Sequence, residues 1–290
     1  MITILHASDI HFGEPHLPHV ARVFLAFARR LRPDVVVISG DLTQRARVGE
    51  YEEAAAFLEQ FGDVPVVVTP GNHDIPVYRV WERLVAPFRN YRDHISTELD
   101  TVTRIPGMTV VALNSASPYT AIVNGRIDAA QLEFARRAFG ESPPDDARVL
   151  VAHHHLAPAP DYEGDKPLPS ARRILDALAG MGVELVLGGH LHRAYIVNSL
   201  DVYPGENRDK NVVIVHSGTT ASARGRARER LKNSLNVLRV TERYLDISHH
   251  LHDDEVNAFL PLSRHLFPRQ PSVSLPDSVA APFLPDEARP

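Results

Sequence analysis

The sequence predicts an α/β protein in which two packed β-sheets are flanked by helices. Three observations carry that expectation. The first third of the chain alternates short β-branched runs with amphipathic helical stripes, the pattern of a parallel βαβ sheet. The C-terminal half is dominated by strand patterns. Aspartates and histidines collect directly after the strands rather than being scattered along the chain.

Residues 2–5 form the first apolar run. Val20, Val23, Phe24, Phe27, Ala28 and Leu31 follow at helical spacing and predict an amphipathic helix. Residues 35–38 are β-branched throughout, as in a strand buried on both faces. Ala54, Phe57, Leu58 and Phe61 give a second helical stripe, and residues 64–68 a third strand. Residues 75–100 are polar and aromatic, with Trp81, Phe88 and Tyr91, and suit a lid or a peripheral helix. Pro106-Gly107 marks a hairpin turn between residues 101–105 and 108–113. Asp128 with Gln131 resembles a capping box opening a helix that ends near Phe139. Residues 149–152 predict a strand. Ser170 is placed to cap a helix with the stripe Ile174, Leu175, Leu178 and Met181, and residues 183–187 give another buried strand. Strands are expected at 195–197, 212–215, 235–240 and 245–248. Residues 261–290 hold seven prolines and no periodicity, which reads as a linker-like strap or disorder.

The bulk composition narrows the chemistry. At 290 residues the chain suits one large domain or two small ones, and 44% hydrophobic residues supply a sizeable core. A formal net charge of -5 does not advertise binding to a nucleic-acid polymer. The chain has no cysteine, so any metal must be held by oxygen and imidazole ligands. The N-terminus lacks the features of a signal peptide, and no apolar stretch reaches the ~18 residues of a spanning helix. A cytoplasmic protein is the expectation.

The potential ligands fall in five groups, each after a strand: Asp9 with His11; Asp41 after Gly40; Asn72, His73 and Asp74 after Gly71; His153, His154 and His155; and His190 with His192 after Gly189. Loops at the C-terminal ends of parallel strands converge on one crevice. Aspartate is a hard anionic ligand able to bridge two cations, and neutral imidazole suits Mn, Fe, Zn, Co or Ni. Two ions about 3.5–4 Å apart form a clamp for phosphoryl chemistry.

These motifs, Asp9-x-His11, Gly40-Asp41, Gly71-Asn72-His73-Asp74, His153-His154 and Gly189-His190-x-His192, resemble the calcineurin-like metallophosphoesterase superfamily. The resemblance spans residues 9–192 and is most similar to bacterial cyclic-nucleotide phosphodiesterases. It implies a four-layer α/β/β/α sandwich over residues 1–252, with 253–290 as a Pro-rich tail outside it. It implies two divalent or trivalent ions. One would be held by Asp9, His11, Asp41 and His192, the other by Asp41, Asn72, His153 and His190, with Asp41 bridging. His154 is the alternative to His153, because this triplet replaces the family's usual His-His-Pro. The resemblance further implies a bridging hydroxide as nucleophile, with His73 at the leaving-group oxygen and Asp74 orienting it. The substrate would be a cyclic nucleotide or a similar small phosphodiester. A lipid-linked nucleotide pyrophosphate and a non-catalytic metal-binding scaffold are the alternatives. A nuclease is disfavoured by the absence of a basic DNA-binding region, and a homodimer is compatible with the reading.

Other polar residues have plainer readings. His6 and His216 read as hydrogen-bonded core residues, and His16 and His19 as surface. His249, His250 and His252 have metal-like spacing but come at the end of the last expected strand and are not expected to form a site. Arg224, Arg226, Arg228 and Arg230 read as a solvated loop face, with the alternative that one arginine contacts a substrate anion.

Overall fold

The computed structural model describes residues 1–119, 124–160, 166–203 and 211–269. The chain opens with β1 (Ile2–Ala7), α1 (Pro18–Leu31), β2 (Val35–Ile38), α2 (Val48–Leu58) and β3 (Val66–Val68), the βαβαβ unit that the periodicity predicts. Pro18 opens α1, where its missing N–H costs nothing. Val20, Phe24 and Ala28 bury the expected stripe, with Val23, Phe27 and Leu31 partly buried beside them. Next come α3 (Val80–Val85), α4 (Arg89–His94), the hairpin of β4 (Thr101–Ile105) and β5 (Met108–Ala112), and α5 (Ala129–Gly140). The Asp128 box forms: the Gln131 N–H donates to Asp128 Oδ1, and the Asp128 N–H donates back to Gln131 Oε1, both at 3.0 Å. The chain then runs through β6 (Ala147–Val151), α6 (Ala171–Gly180), β7 (Leu185–Gly188), β8 (Tyr195–Asn198), α7 (Ser199–Val202) and β9 (Val213–His216). It closes with β10 (Ser234–Val240), β11 (Tyr244–Asp253) and β12 (Ala258–Pro268).

The strands form two six-stranded mixed sheets, in the orders β12-β11-β10-β1-β2-β3 and β4-β5-β6-β7-β9-β8. In the first, β1, β2 and β3 are parallel, and β10, β11 and β12 extend it antiparallel. In the second, β5, β6, β7 and β9 are parallel, with β4 and β8 antiparallel at its edges.

Side-chain alternation stacks the layers. Ile4, Val35 and Val37 share a buried cluster with Val110, Val149, Leu185 and Val215 between the two sheets. Leu5, Ala7, Val36 and Ile38 turn outward onto Phe24 and Phe57 of α1 and α2. Val111, Leu150, Val186 and Ile214 turn outward onto Phe139 and Leu175 of α5 and α6. The result is helix, sheet, sheet, helix. Strands buried on both faces read as continuous apolar runs, which is why residues 35–38 show no alternation.

Two expectations are corrected. Ser170 does not cap α6: it sits in left-handed backbone (φ 62), and its side chain makes no capping bond. The sheet does not stop at residue 252, because β12 pairs with β11 from Ala258 to Pro268. Prolines at an edge strand remove no needed ladder donor, so Pro261 is tolerated there. The part of the expected tail at 270–290 lies outside the described residues. The peripheral helix expected within residues 75–100 is α3, which buries none of its residues and leaves Trp81 80% exposed, whereas Tyr91 of α4 is buried. Among the described residues no helix is long and apolar enough to cross a membrane.

Candidate metal centre

The loops that leave β1, β2, β3, β6 and β7 meet at one end of the sandwich. Backbone pairing continues past the strand ends: the Asp9 N–H donates to Gly40 O and the His11 N–H to Asp41 O, each at 3.0 Å. The chain then has to turn each short side chain back across the sheet edge. Asp9, His11, Asp41, His190 and His192 all adopt left-handed backbone, with φ between 52 and 73. Only eleven non-glycine residues do so among those described, so the uncommon conformation is concentrated here. Each such residue costs about 1 kcal/mol or more and persists only where its surroundings fix it. Two glycines make room. A Cβ on Gly71 would overlap the Asp41 carboxylate, and one on Gly189 would overlap Ser8 and the Asp9 carboxylate.

Asp9, His11, Asp41 and His192 are all buried and bring one ligand atom each to within 4.8 Å of one another. His192 Nε2 lies 3.2 Å from Asp9 Oδ1 and 3.3 Å from His11 Nε2, and His11 Nε2 lies 3.7 Å from Asp41 Oδ2. A second set of donors adjoins the first. Asp41 Oδ2 lies 3.4 Å from His153 Nε2, which lies 3.1 Å from Asn72 Oδ1, itself 2.9 Å from His190 Nδ1. Two ligands on one ion with bonds of 2.0–2.2 Å stand about 3.0–3.5 Å apart, so the spacing is that of a coordination shell.

The electrostatics agree. Asp9 Oδ1 and Asp41 Oδ2 are buried without a hydrogen-bond partner, so each carries an unmet demand for positive charge. Burial drives the His11 imidazole down to about 3 and His190 well below its ordinary value, leaving both neutral as ligation requires. At His153 burial opposes the charge, but the adjacent Asp41 carboxylate outweighs it and raises the group to about 9. Between His153 and Asp41 the site thus favours a positive charge, proton or metal. Orientation comes from carbonyls. His153 donates through Nδ1 to Ser39 O at 2.8 Å and His192 through Nδ1 to Arg224 O at 3.0 Å, which leaves each Nε2 lone pair facing inward.

Of the other histidines in the triplet, His154 Nδ1 lies 2.9 Å from Ser115 Oγ, and the His155 ring stacks 5.8 Å from that of His190. The His154 ring also lies 4.6 Å from that of His190, and neither residue belongs to the group Asp9, His11, Asp41 and His192. His73 stands over the cluster, its ring 4.8 Å from that of His11, while its backbone N–H donates to Asp41 Oδ1 at 2.8 Å.

Asp74 does not orient the His73 ring. Its carboxylate accepts the N–H groups of Leu42, Thr43 and Gly71 and the hydroxyl of Thr43, which ties the β2 and β3 loops together. Burial and the nearby charge of Asp41 push that carboxyl up to about 7. The His73 ring is instead held by Gln44, whose carbonyl accepts from Nδ1 at 2.9 Å.

His6 and His216 are buried as expected. His6 bonds Ser39 and Asn236, and His216 bonds Gly189 O. His249, His250 and His252 do not share a ligand set: they contact Asn236, Ser248 and Asp254 respectively. Sequence reasoning did not single out Gln44, and it named Arg224 only as one of four loop arginines, one of which was the alternative contact for a substrate anion. Arg224 follows the end of β9, a strand that ends on the same side as the others, and that position was its signal.

Residues 2–194 match the family described as Calcineurin-like phosphoesterase. A protein of Rhodococcus erythropolis named "Probable cyclic nucleotide phosphodiesterase" is 31% identical over 56% of this chain and 52% of its own length. A Synechococcus protein of the same description is 30% identical over 67% of this chain and 75% of its own. The chain thus spans about half the length of the Rhodococcus relative it matches. In structure it is similar to purple acid phosphatase PPD1 from yellow lupin (Lupinus luteus) seeds, with a TM-score of 0.68 at 13% identity, over 92% of this chain and 54% of the other. That likeness speaks to the fold. With the family matched over most of its length and the ligand-type residues gathered at the ends of the strands, the chain belongs to the calcineurin-like phosphoesterase family.

Proposed function

We propose that this chain is a metal-dependent phosphodiesterase acting on a small phosphodiester, a cyclic nucleotide or a close analogue, in the cytoplasm. One ion would be held by Asp9, His11, Asp41 and His192, the other by Asp41, Asn72, His153 and His190. The observation that carries this reading is Asp41 Oδ2, a buried oxygen without a hydrogen-bond partner that faces His11 Nε2 at 3.7 Å and His153 Nε2 at 3.4 Å. One anionic oxygen between two imidazole sets suits a bridging ligand. The names of the curated relatives support the choice of cyclic nucleotides.

When bound, two ions of this kind lower the pKa of water and neutralise charge on phosphoryl oxygens. The chain's own residues do the rest. The carbonyls of Ser39 and Arg224 fix His153 and His192, and the Asp74 carboxylate holds the loops of Asp41 and Asn72 in register. His73 presents Nε2 beside the cluster, because Nδ1 is committed to the Gln44 carbonyl. Once Nε2 carries a proton, the ring in that position can donate it to a departing alkoxide.

One observation favours a second reading, a lipid-linked nucleotide pyrophosphate. Tyr78, Val80, Trp81, Leu84 and Val85 are exposed on the segment that follows Asp74, an apolar surface beside the site. The test is a substrate panel with metal-reconstituted protein, including cyclic AMP, bis(p-nitrophenyl) phosphate and a lipid-linked nucleotide pyrophosphate. Metal-dependent turnover of the diesters, abolished in Asp41→Ala together with metal content, is the expected result. Turnover of the pyrophosphate alone would select the second reading. No turnover of any ester by fully metallated protein would leave the scaffold alternative.

A further inference from the structure

The β9–β10 loop carries a cation, Arg224, that feels the Asp41 and Asp9 carboxylates only at a distance and pairs directly with neither. Arg224 is half-buried beside the metal centre. Its Nη1 donates to Gln44 Oε1 at 3.0 Å, and its Nη2 contacts His73 Nε2 at 3.2 Å. Both partners are neutral acceptors. Among the described residues no carboxylate stands within ion-pair distance of it, although the neighbouring His192 has Asp9 as such a partner. A half-buried guanidinium without a counter-ion is costly unless a ligand supplies the charge.

The surroundings hold this side chain deliberately in place. The Arg224 carbonyl accepts from His192 Nδ1, and the Arg226 N–H donates to His192 O. Glu229, buried, pins the same loop by accepting from the Ala194 N–H and the Ser234 hydroxyl, each at 2.7 Å. Gln44 addresses both residues at once: its carbonyl holds the His73 ring, and its side chain holds Arg224. The guanidinium is therefore fixed relative to the metal ligand His192 and to His73 together.

We infer that Arg224 binds a non-bridging oxygen of the substrate phosphate, and that this contact draws its Nη2 donor away from His73. The inference rests on the hydrolase reading of the site but goes further, because it assigns the phosphate a protein anchor beside the metals. With Nδ1–H given to the Gln44 carbonyl, a neutral His73 has only its Nε2 lone pair to offer, and Arg224 occupies it. A phosphate oxygen is the stronger acceptor for a guanidinium. Transfer of that donor to phosphate exchanges one hydrogen bond for another, with no covalent change, and frees the Nε2 lone pair. That lone pair can then take a proton from solvent, and the imidazolium so formed can donate to the leaving-group oxygen. Gln44 is a positioning residue, acting through Arg224 and His73.

The test uses the full metal-loaded chain and the variants Arg224→Ala, Arg224→Lys, Gln44→Ala and, as a control on the exposed part of the same loop, Arg230→Ala. Metal content, affinity for inorganic phosphate by calorimetry, and turnover of bis(p-nitrophenyl) phosphate are measured on each. Arg224→Ala should keep its metals, bind phosphate more weakly, and lose about 10²-fold in kcat/KM, the loss expected for one preorganised donor to a reacting phosphoryl group. Millimolar guanidinium chloride should restore part of that loss. Arg224→Lys should regain phosphate affinity more than kcat, because a point charge cannot hold Gln44 and phosphate together. Gln44→Ala should fall in the same direction by less, and Arg230→Ala should match wild type. Phosphate affinity and turnover of Arg224→Ala and Arg224→Lys within about twofold of wild type, metals intact, would overturn the inference. Should Arg224→Ala fold poorly, the Lys and Gln44 variants decide by the same criterion. Arg224-dependent phosphate binding in a wild type that hydrolyses no ester would sink the hydrolase reading and the role given to His73, and uphold only the phosphate contact of Arg224.

Discussion

The histidine triplet gives the sharpest check on the site. His153 Nε2 faces Asp41 Oδ2 and Asn72 Oδ1, whereas His154 turns to Ser115. His153→Ala should thus remove a ligand, and His154→Ala should not. Both substitutions empty buried volume, so raw stability cannot separate them. The difference between metal-loaded and chelated protein can, because the packing loss appears in both states and cancels. At a free ion concentration of 100 Kd, binding stabilises the folded chain by about 2.7 kcal/mol per site. Loss of a ligand should weaken Kd by at least the ~100-fold reached when merely a supporting hydrogen bond is lost. At the same ion concentration the variant then gains only about 0.4 kcal/mol. The missing ~2.3 kcal/mol corresponds to roughly 5–9 °C in Tm for a chain near this size.

The assay is thermal unfolding of wild type and both variants, with excess Mn and with chelator, read as the rise in Tm on adding metal. Wild type and His154→Ala should show the same rise. His153→Ala should retain only the part due to the Asp9, His11, Asp41 and His192 group. The converse pattern, with the rise intact in His153→Ala and reduced in His154→Ala, would shift the register by one residue and refute the assignment.

Other outcomes follow from neighbouring contacts. His73→Asn should keep its metals, since the Asp41 contact uses the backbone N–H of residue 73; turnover should fall by roughly 10²–10⁴-fold on an alkyl ester and by less on p-nitrophenyl esters. Equal losses on both would argue against a proton role. At Glu229 burial opposes the charge, but His249, Ser234 and the Ala194 N–H hold the carboxyl below its ordinary value. Stability from a depressed carboxylate is present above the unfolded pKa of about 4.3 and is lost as pH falls through the folded value. Glu229→Gln should accordingly unfold at lower urea than wild type at neutral pH, with the gap closing in acid; a gap independent of pH would refute the charge argument. Arg269 grips Glu184 of the other sheet through two hydrogen bonds of 2.6 and 2.8 Å. A chain ending at Arg269 should match the full chain in urea midpoint, and one ending at Arg264 should fall below it, having lost this clamp and the end of β12.

What was legible in the sequence, and what was not, has a physical pattern. The βαβαβ opening announced itself because Phe24 and Ala28 must share one helix face and Val35–Ile38 is buried on both sides. The ligand-type residues were legible because polar side chains after a buried strand have few reasons to be there. β12 was hidden by Pro261 and Pro268, read as breakers. The strand lies at the sheet edge, and the register shifts between His249 and His250, where Pro261 pairs, so its ladder does not need those donors. The role of Asp74 was misassigned because adjacency to His73 suggested a side-chain pair. In the short 3₁₀ turn of Asn72–Asp74 consecutive side chains diverge, and the carboxylate meets backbone donors instead. Gln44 gave no signal, since a carbonyl that holds a ring belongs to every residue type.

The same accounting explains why the centre sits where it does. Left-handed backbone at Asp9, His11, Asp41, His190 and His192, two buried carboxylate oxygens without donors, and an uncompensated Arg224 all oppose folding. A loop alone would relax out of such an arrangement. Here each strained residue lies within a few positions of a strand buried on both faces, and the ladder continues from Asp9 to Gly40 and from His11 to Asp41 past the strand ends. The apolar core between the sheets thereby fixes geometry that the local sequence disfavours. The two kinds of unmet charge are also complementary in sign. On the proposed reading, cations would satisfy Asp9 and Asp41, and an anion would give Arg224 the direct partner it lacks. A metal centre loaded with a phosphate ester would then satisfy all three together, and the chain's least favourable local features would become mutually consistent in the state proposed to carry out hydrolysis.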